Sequence, residues 1–124
     1  MKYIQEAFDG YWIAPLVPNV DGFEKDLENY LGQESHVAVV STGTAALHLA
    51  LAMLGVEKDD FVICQSLTFT ASANPIIYLG GIPVFVDSEK ETWNLCPNAV
   101  EDAIEVCIEK GKKPKAIITV CLYG

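Results

Sequence analysis

Arginine is missing from these 124 residues: all eight basic residues are lysine, set against 17 acidic ones for a net charge of −9. Proteins that neutralise phosphates along nucleic acid or an anionic bilayer need concentrated positive charge, so neither is expected as a partner. The four cysteines, Cys64, Cys96, Cys107 and Cys121, form no C-x-x-C pair, and no metal site is read from them. No charged segment followed by an apolar one opens the sequence, so the thiols read as reduced and the expected location is cytoplasmic. The most apolar segment, 45–56, is interrupted by His48 and falls well short of the roughly twenty residues that span a bilayer. Internal repeats and low-complexity tracts are also missing.

What is present is an apolar fraction of 51% and a mean hydropathy of +0.26. In one domain that buries only about two thirds of the unfolded surface, this implies strands buried on both faces or a surface meant for a partner. The organising stretch is Ser-Thr-Gly-Thr-Ala at 41–45, which joins a short apolar run, 37–40, to the long apolar segment. The pattern predicts a strand, a tight turn and a helix. Small hydroxyl residues and one glycine let a ligand approach the backbone, and the first N–H groups of a helix have no partner within it. Such a helix start attracts anions. Ser41 or Thr42 acting only as a helix cap is the simpler reading of the stretch taken alone.

The remaining pattern predicts a short helix over 2–9 and an irregular stretch over 10–19 with Pro15 and Pro18. A helix follows, with Asp21 as N-cap, Glu24 completing a capping box, Phe23, Leu27, Tyr30 and Leu31 on one face, and Gly32 at its end. Strands are predicted at 61–64, 83–86 and 116–120, with helices over 71–79 and from Pro97 to about Lys110. Val100, Ile104 and Ile108 are assigned to the inner face of the last helix, Asp87 to bracing a loop, and Lys112, Lys113 and Lys115 to a solvated cluster. Alternating strands and helices imply an α/β fold, a mostly parallel sheet with helices on both faces. Ligands gather beyond the carboxyl ends of such strands, where residues 41–45, 65–70, Asp87 and 121–124 fall.

The stretch Ser-Thr-Gly-Thr-Ala-Ala-Leu-His-Leu-Ala-Leu at 41–51 resembles the phosphate-binding segment of the DegT/DnrJ/EryC1/StrS sugar aminotransferases. Agreement continues in Trp-Ile-Ala-Pro-Leu at 12–16 leading to Phe23-Glu24, in Ser-Leu-Thr-Phe-Thr-Ala-Ser-Ala-Asn at 66–74, in residues 78–87, and in Leu-Tyr-Gly at 122–124. The resemblance covers essentially the whole chain in order. It departs at Val17, where the family commonly has glycine, and at Cys121, where it commonly has histidine.

The resemblance implies a fold like that of aspartate aminotransferase (fold type I), pyridoxal 5′-phosphate as cofactor, and a homodimer. It implies transfer of an amino group from glutamate to a nucleotide-linked keto sugar, in the making of cell-surface polysaccharide or glycan. Carried over by position, Gly43, Thr44 and Ala45 would hold the cofactor phosphate and Phe69 would stack on its ring, while His48 reads as a hydrogen-bonded core histidine. No catalytic residue is assigned. The family's Schiff-base lysine and the aspartate facing the pyridinium nitrogen follow the Leu-Tyr-Gly landmark, so the chain is expected to be the amino-terminal part of one large domain, truncated at both ends and inactive alone. Two alternatives are a sugar dehydratase of the same family, with histidine in place of that lysine, and a non-catalytic phosphate- or nucleotide-binding α/β domain.

Overall fold

The computed structural model describes residues 1–12, 14, 17–32 and 34–122, which fall into two compact units, Met1–Val40 and Ser41–Gly124. Ile13, Pro15 and Leu16 of the irregular stretch, and Tyr123 and Gly124 of the Leu-Tyr-Gly landmark, lie outside the described residues.

The first unit holds two helices, α1 (Lys2–Asp9) and α2 (Pro18–Leu31). Helix α2 starts four residues earlier than its sequence suggests, because Pro18 occupies the first helical position behind an extended Val17. Asp21 therefore sits inside the first turn, where its charge suits the helix dipole, and is not the N-cap. The expected capping box does not form. Glu24 instead accepts a hydrogen bond from the Val39 N–H at 2.7 Å, and Glu28 accepts one from the Val37 N–H at 3.1 Å. Two carboxylates one helical turn apart thus match two N–H groups on one edge of an extended run. This corrects the strand expected over 37–40: no strand pairs with it among the described residues, and side chains take the N–H groups that a ladder would use. Gly32 ends α2 with φ at +115°, as expected.

The second unit is built on a three-stranded parallel sheet in the order β2-β1-β3, with β1 Phe61–Gln65, β2 Ile82–Val86 and β3 Ala116–Ile118. Strand β1 pairs on both sides, Ile63 standing between Val84 and Ile117. Side chains alternate across the sheet, and both faces are covered. Val62, Cys64 and Ile118 on one face pack with Leu51 of α3 (Gly43–Met53) and Ile76 of α4 (Asn74–Tyr78). The other face carries Ile63, and α5 (Pro97–Glu109) packs on β1 and β2. The parallel sheet with helices on both faces is as the alternation implied.

Three local expectations change. The helix expected over 71–79 is a 3-10 turn, Thr70–Ser72, followed by the short α4, because Pro75 supplies no N–H and must stand in a first turn. In α5 the buried position is Cys107, with Ile108 on the exposed side. Strand β3 ends at Ile118. Gly80 closes α4 at a φ of +78°, and a Cβ there would stand 3.3 Å from the Lys58 backbone, so both conformation and space call for glycine.

Lys112 is no member of a free solvated cluster. Its Nζ donates to Asp60 Oδ1 at 2.9 Å and to the Asp59 carbonyl at 3.3 Å, tying the end of α5 to the entry of β1. The Lys112 hydrogen bond, helped by the Glu57 N–H, holds the Asp60 carboxyl below its ordinary 3.8, and Asp60 raises Lys112 above 10.5. A lowered carboxylate pKa favours the folded state at higher pH, and that contribution is lost as pH falls through the folded-state value, below about 4. We expect Asp60→Asn to lower the thermal midpoint near neutral pH and the two proteins to converge under acid. A midpoint difference that persists unchanged at acid pH contradicts the pairing.

Candidate phosphate and ring site at the sheet edge

Helix α3 has the composition of a core helix but a polar start. Thr42 is extended, and its Oγ1 accepts the Ala45 N–H at 3.1 Å while its carbonyl accepts the Ala46 N–H at 3.1 Å. Thr42 is therefore the cap that the local reading allowed. Of the residues expected at the site, Ala45 has its N–H engaged by this cap. Among the described residues the N–H groups of Gly43 and Thr44 have no partner, as the first turn of a helix dictates.

Gly43 is exposed, Thr44 is half-buried, and a Cβ built on Gly43 would meet nothing within 4 Å. Neither crowding nor a left-handed backbone calls for glycine there. Open space beside two unpaired N–H groups and a hydroxyl is what a phosphate needs at a helix start. The residues thus fit such a group, with Gly43 and Thr44 as donors.

The direction of α3 follows from its other end. A Cβ on Gly55, just past the helix, would lie 3.8 Å from Nζ of Lys115, which directly precedes β3. The C-terminal end of α3 therefore sits at the amino edge of the sheet, and about 16 Å of helix carries Gly43 and Thr44 toward the carboxyl edge. Phe69 belongs to that edge too, in the turn that follows β1, and α3 packs against the 3-10 turn immediately after it. Its ring is 74% exposed, so it is not a core aromatic. At the same edge Asp87 Oδ1 accepts the Ser88 N–H at 2.8 Å and the Asp87 carbonyl accepts the Cys96 N–H, the bracing role expected of it. Cys121 is exposed.

His48 departs from expectation. It is half-buried in α3 and meets the Tyr78 ring edge-on, with centroids 5.8 Å apart, and is not sealed in a core. Burial pushes the Cys64 thiol up to about 11 and raises Cys107 as well, so neither is a nucleophile near neutral pH.

Two features were missed by reading the residues alone. Gln65 ends β1 fully buried, its Nε2 donating to Ser88 Oγ at 3.1 Å and to the Trp93 carbonyl at 2.9 Å, with Oε1 unpartnered among the described residues. Ser72 is buried beside Thr68. A glutamine closing an apolar strand is the signal that could have found the first.

The fold is that of part of the aspartate-aminotransferase-like, fold type I large domain. A solved aminotransferase from Brucella abortus superimposes with a TM-score of 0.82 at 37% identity, covering 97% of this chain and 32% of its own. Within that class the chain belongs to the DegT/DnrJ/EryC1/StrS aminotransferase family, whose model matches residues 1–124. It is 52% identical over 122 residues to EpsN of Bacillus subtilis, named as a pyridoxal phosphate-dependent aminotransferase, covering 98% of this chain and 31% of EpsN. It is 40% identical over 126 residues to GDP-perosamine synthase of Escherichia coli O157:H7, covering 99% and 32% respectively. The chain thus spans about a third of the length of these relatives.

Removing the cap should loosen the helix start. We expect Thr42→Ala to cost about 0.5–2 kcal/mol in urea unfolding and Thr42→Ser to cost less; equal stability of all three proteins would deny Thr42 its capping role.

Proposed function

We propose that this chain is the amino-terminal part of a pyridoxal phosphate-binding large domain in an enzyme that moves an amino group from glutamate to a nucleotide-linked keto sugar. The observation that carries the reading is the pair of unpartnered N–H groups at Gly43 and Thr44, opening onto free space on the edge that also bears the exposed Phe69 ring. The names of the relatives support the cofactor and the sugar nucleotide. Cytoplasmic polysaccharide or glycan assembly is the setting we propose, and among the described residues no helix is long and apolar enough to cross a membrane.

When bound, pyridoxal phosphate supplies an electron sink and a temporary holder for the amino group. The chain's own residues do the holding. The Gly43 and Thr44 N–H groups and the Thr44 hydroxyl donate to the phosphate, and the dipole of α3 favours its charge. Phe69 offers a flat apolar face to the ring. None of the eight lysines matches the family's Schiff-base position, so we propose that these 124 residues bind without catalysing. A homodimer is the association we propose, as the resemblance implies.

Affinity separates the two parts of the site. We expect Thr44→Val to weaken inorganic phosphate and pyridoxal phosphate alike by about 1–3 kcal/mol, and Phe69→Ala to weaken only pyridoxal phosphate, in titrations followed by calorimetry. Unchanged affinities in Thr44→Val would remove the helix start from the site.

Borohydride treatment with pyridoxal phosphate checks the absence of the lysine. Scattered, substoichiometric pyridoxyl groups spread over the eight lysines are the expected mass-spectrometric result. One lysine labelled stoichiometrically, with 2-oxoglutarate released from glutamate, would show that this chain is itself a catalyst.

A further inference from the structure

Phe69 poses a mechanical problem. A ring 74% exposed has few neighbours to fix its direction, yet a stacking platform contributes affinity only if it is oriented before the ligand arrives. The direction of its Cα–Cβ bond, from which the ring projects, is set by the backbone that carries it, held here with φ at −69° and ψ at 140°.

That backbone is tied at several points. The Ser66 N–H donates to the Val86 carbonyl at 2.9 Å, anchoring the start of the turn to the end of β2. At the other end Ser72, only 4% exposed, holds Phe69 from both sides. Its N–H donates to the Phe69 carbonyl at 2.9 Å, and its hydroxyl shares a hydrogen bond of 2.8 Å with the Thr68 hydroxyl, the residue just before the ring. A buried hydroxyl needs one partner only to be satisfied. Choosing the side chain of Thr68 closes a loop of bonded atoms around Phe69, so neither neighbour can turn without breaking it.

We infer that Ser72, through Thr68, is a positioning residue that holds the Phe69 ring ready for a flat heteroaromatic ligand, and this rests on the reading of Phe69 as the ring platform. Ser72 touches no ligand itself. The phosphate donors Gly43 and Thr44 lie on a different element, so the two functions can be pulled apart.

The experiment compares the chain with Ser72→Ala, Thr68→Val, the double variant and Phe69→Ala, each checked by circular dichroism. Dissociation constants are measured for pyridoxal phosphate and, separately, for inorganic phosphate. Positioning predicts that Ser72→Ala and Thr68→Val each weaken pyridoxal phosphate about three- to tenfold while inorganic phosphate stays within about twofold. The double variant should lose no more, since the bond is already gone. A purely structural Ser72 would instead weaken both ligands in proportion, and that result overturns the inference. Thr68 is only half-buried, so Thr68→Val keeps the test intact if Ser72→Ala folds poorly. If Phe69→Ala weakens pyridoxal phosphate and the hydroxyl variants do not, the positioning role alone falls. If Phe69→Ala changes nothing, the platform falls and takes the positioning role with it.

Discussion

Residues 41–122 depend on one strand. Strand β1 is hydrogen-bonded on both edges and covered on both faces, with Val62, Ile63 and Cys64 fully buried. A strand in that position has no freedom to slip, because a shift of one residue would exchange the side chains of its two faces. Everything attached to its carboxyl end inherits that fixity, including the turn that carries Phe69 and the buried Gln65 amide that donates to the Trp93 carbonyl. Helix α3 inherits it by packing, through Leu51 against the same core.

The division of labour in this unit follows from solvation. The groups proposed to meet the ligand, the Gly43 and Thr44 N–H groups and the Phe69 face, are solvent-accessible or half-buried and remain uncommitted to protein partners among the described residues. The groups that place them, Thr42, Thr68, Ser72 and Gln65, each make a hydrogen bond within the protein. Thr42, adjacent to the proposed anion site, reads as scaffold because its Oγ1 accepts the Ala45 N–H.

Much of this was legible in the residues. Helix α5 declares itself by Pro97, strands β1 and β2 by apolar runs bounded by turn residues, and the start of α3 by its small hydroxyl residues and glycine. Failures came where a local signal depends on something non-local. An apolar run such as 37–40 becomes a strand only when a neighbour supplies a ladder, and here Glu24 and Glu28 occupy its N–H groups. Asp21 and Glu24 have capping-box spacing, but Pro18 had already begun the helix. The choice between Cys107 and Ile108 as the buried residue turns on about 100° of rotation around α5, set by how that helix seats on the sheet. Within the site, the resemblance pointed to Thr44 and Phe69, whereas the Thr68–Ser72 bond needed coordinates, since neither hydroxyl announces its partner in sequence.

The strand order also sets the sequence of events as the chain folds. Strands β1 and β2 are joined by residues 66–81 with α4 between them, whereas β3 reaches β1 only after residues 66–115 have been gathered into a loop. Closing a longer loop has a larger entropic cost, and contacts that require it form late. The β1–α4–β2 segment, which contains the Phe69 turn and its Ser72 tie, can therefore condense on short-range contacts. Strand β3 is then laid onto a surface already in register, with the Lys112 link to Asp60 closing behind it.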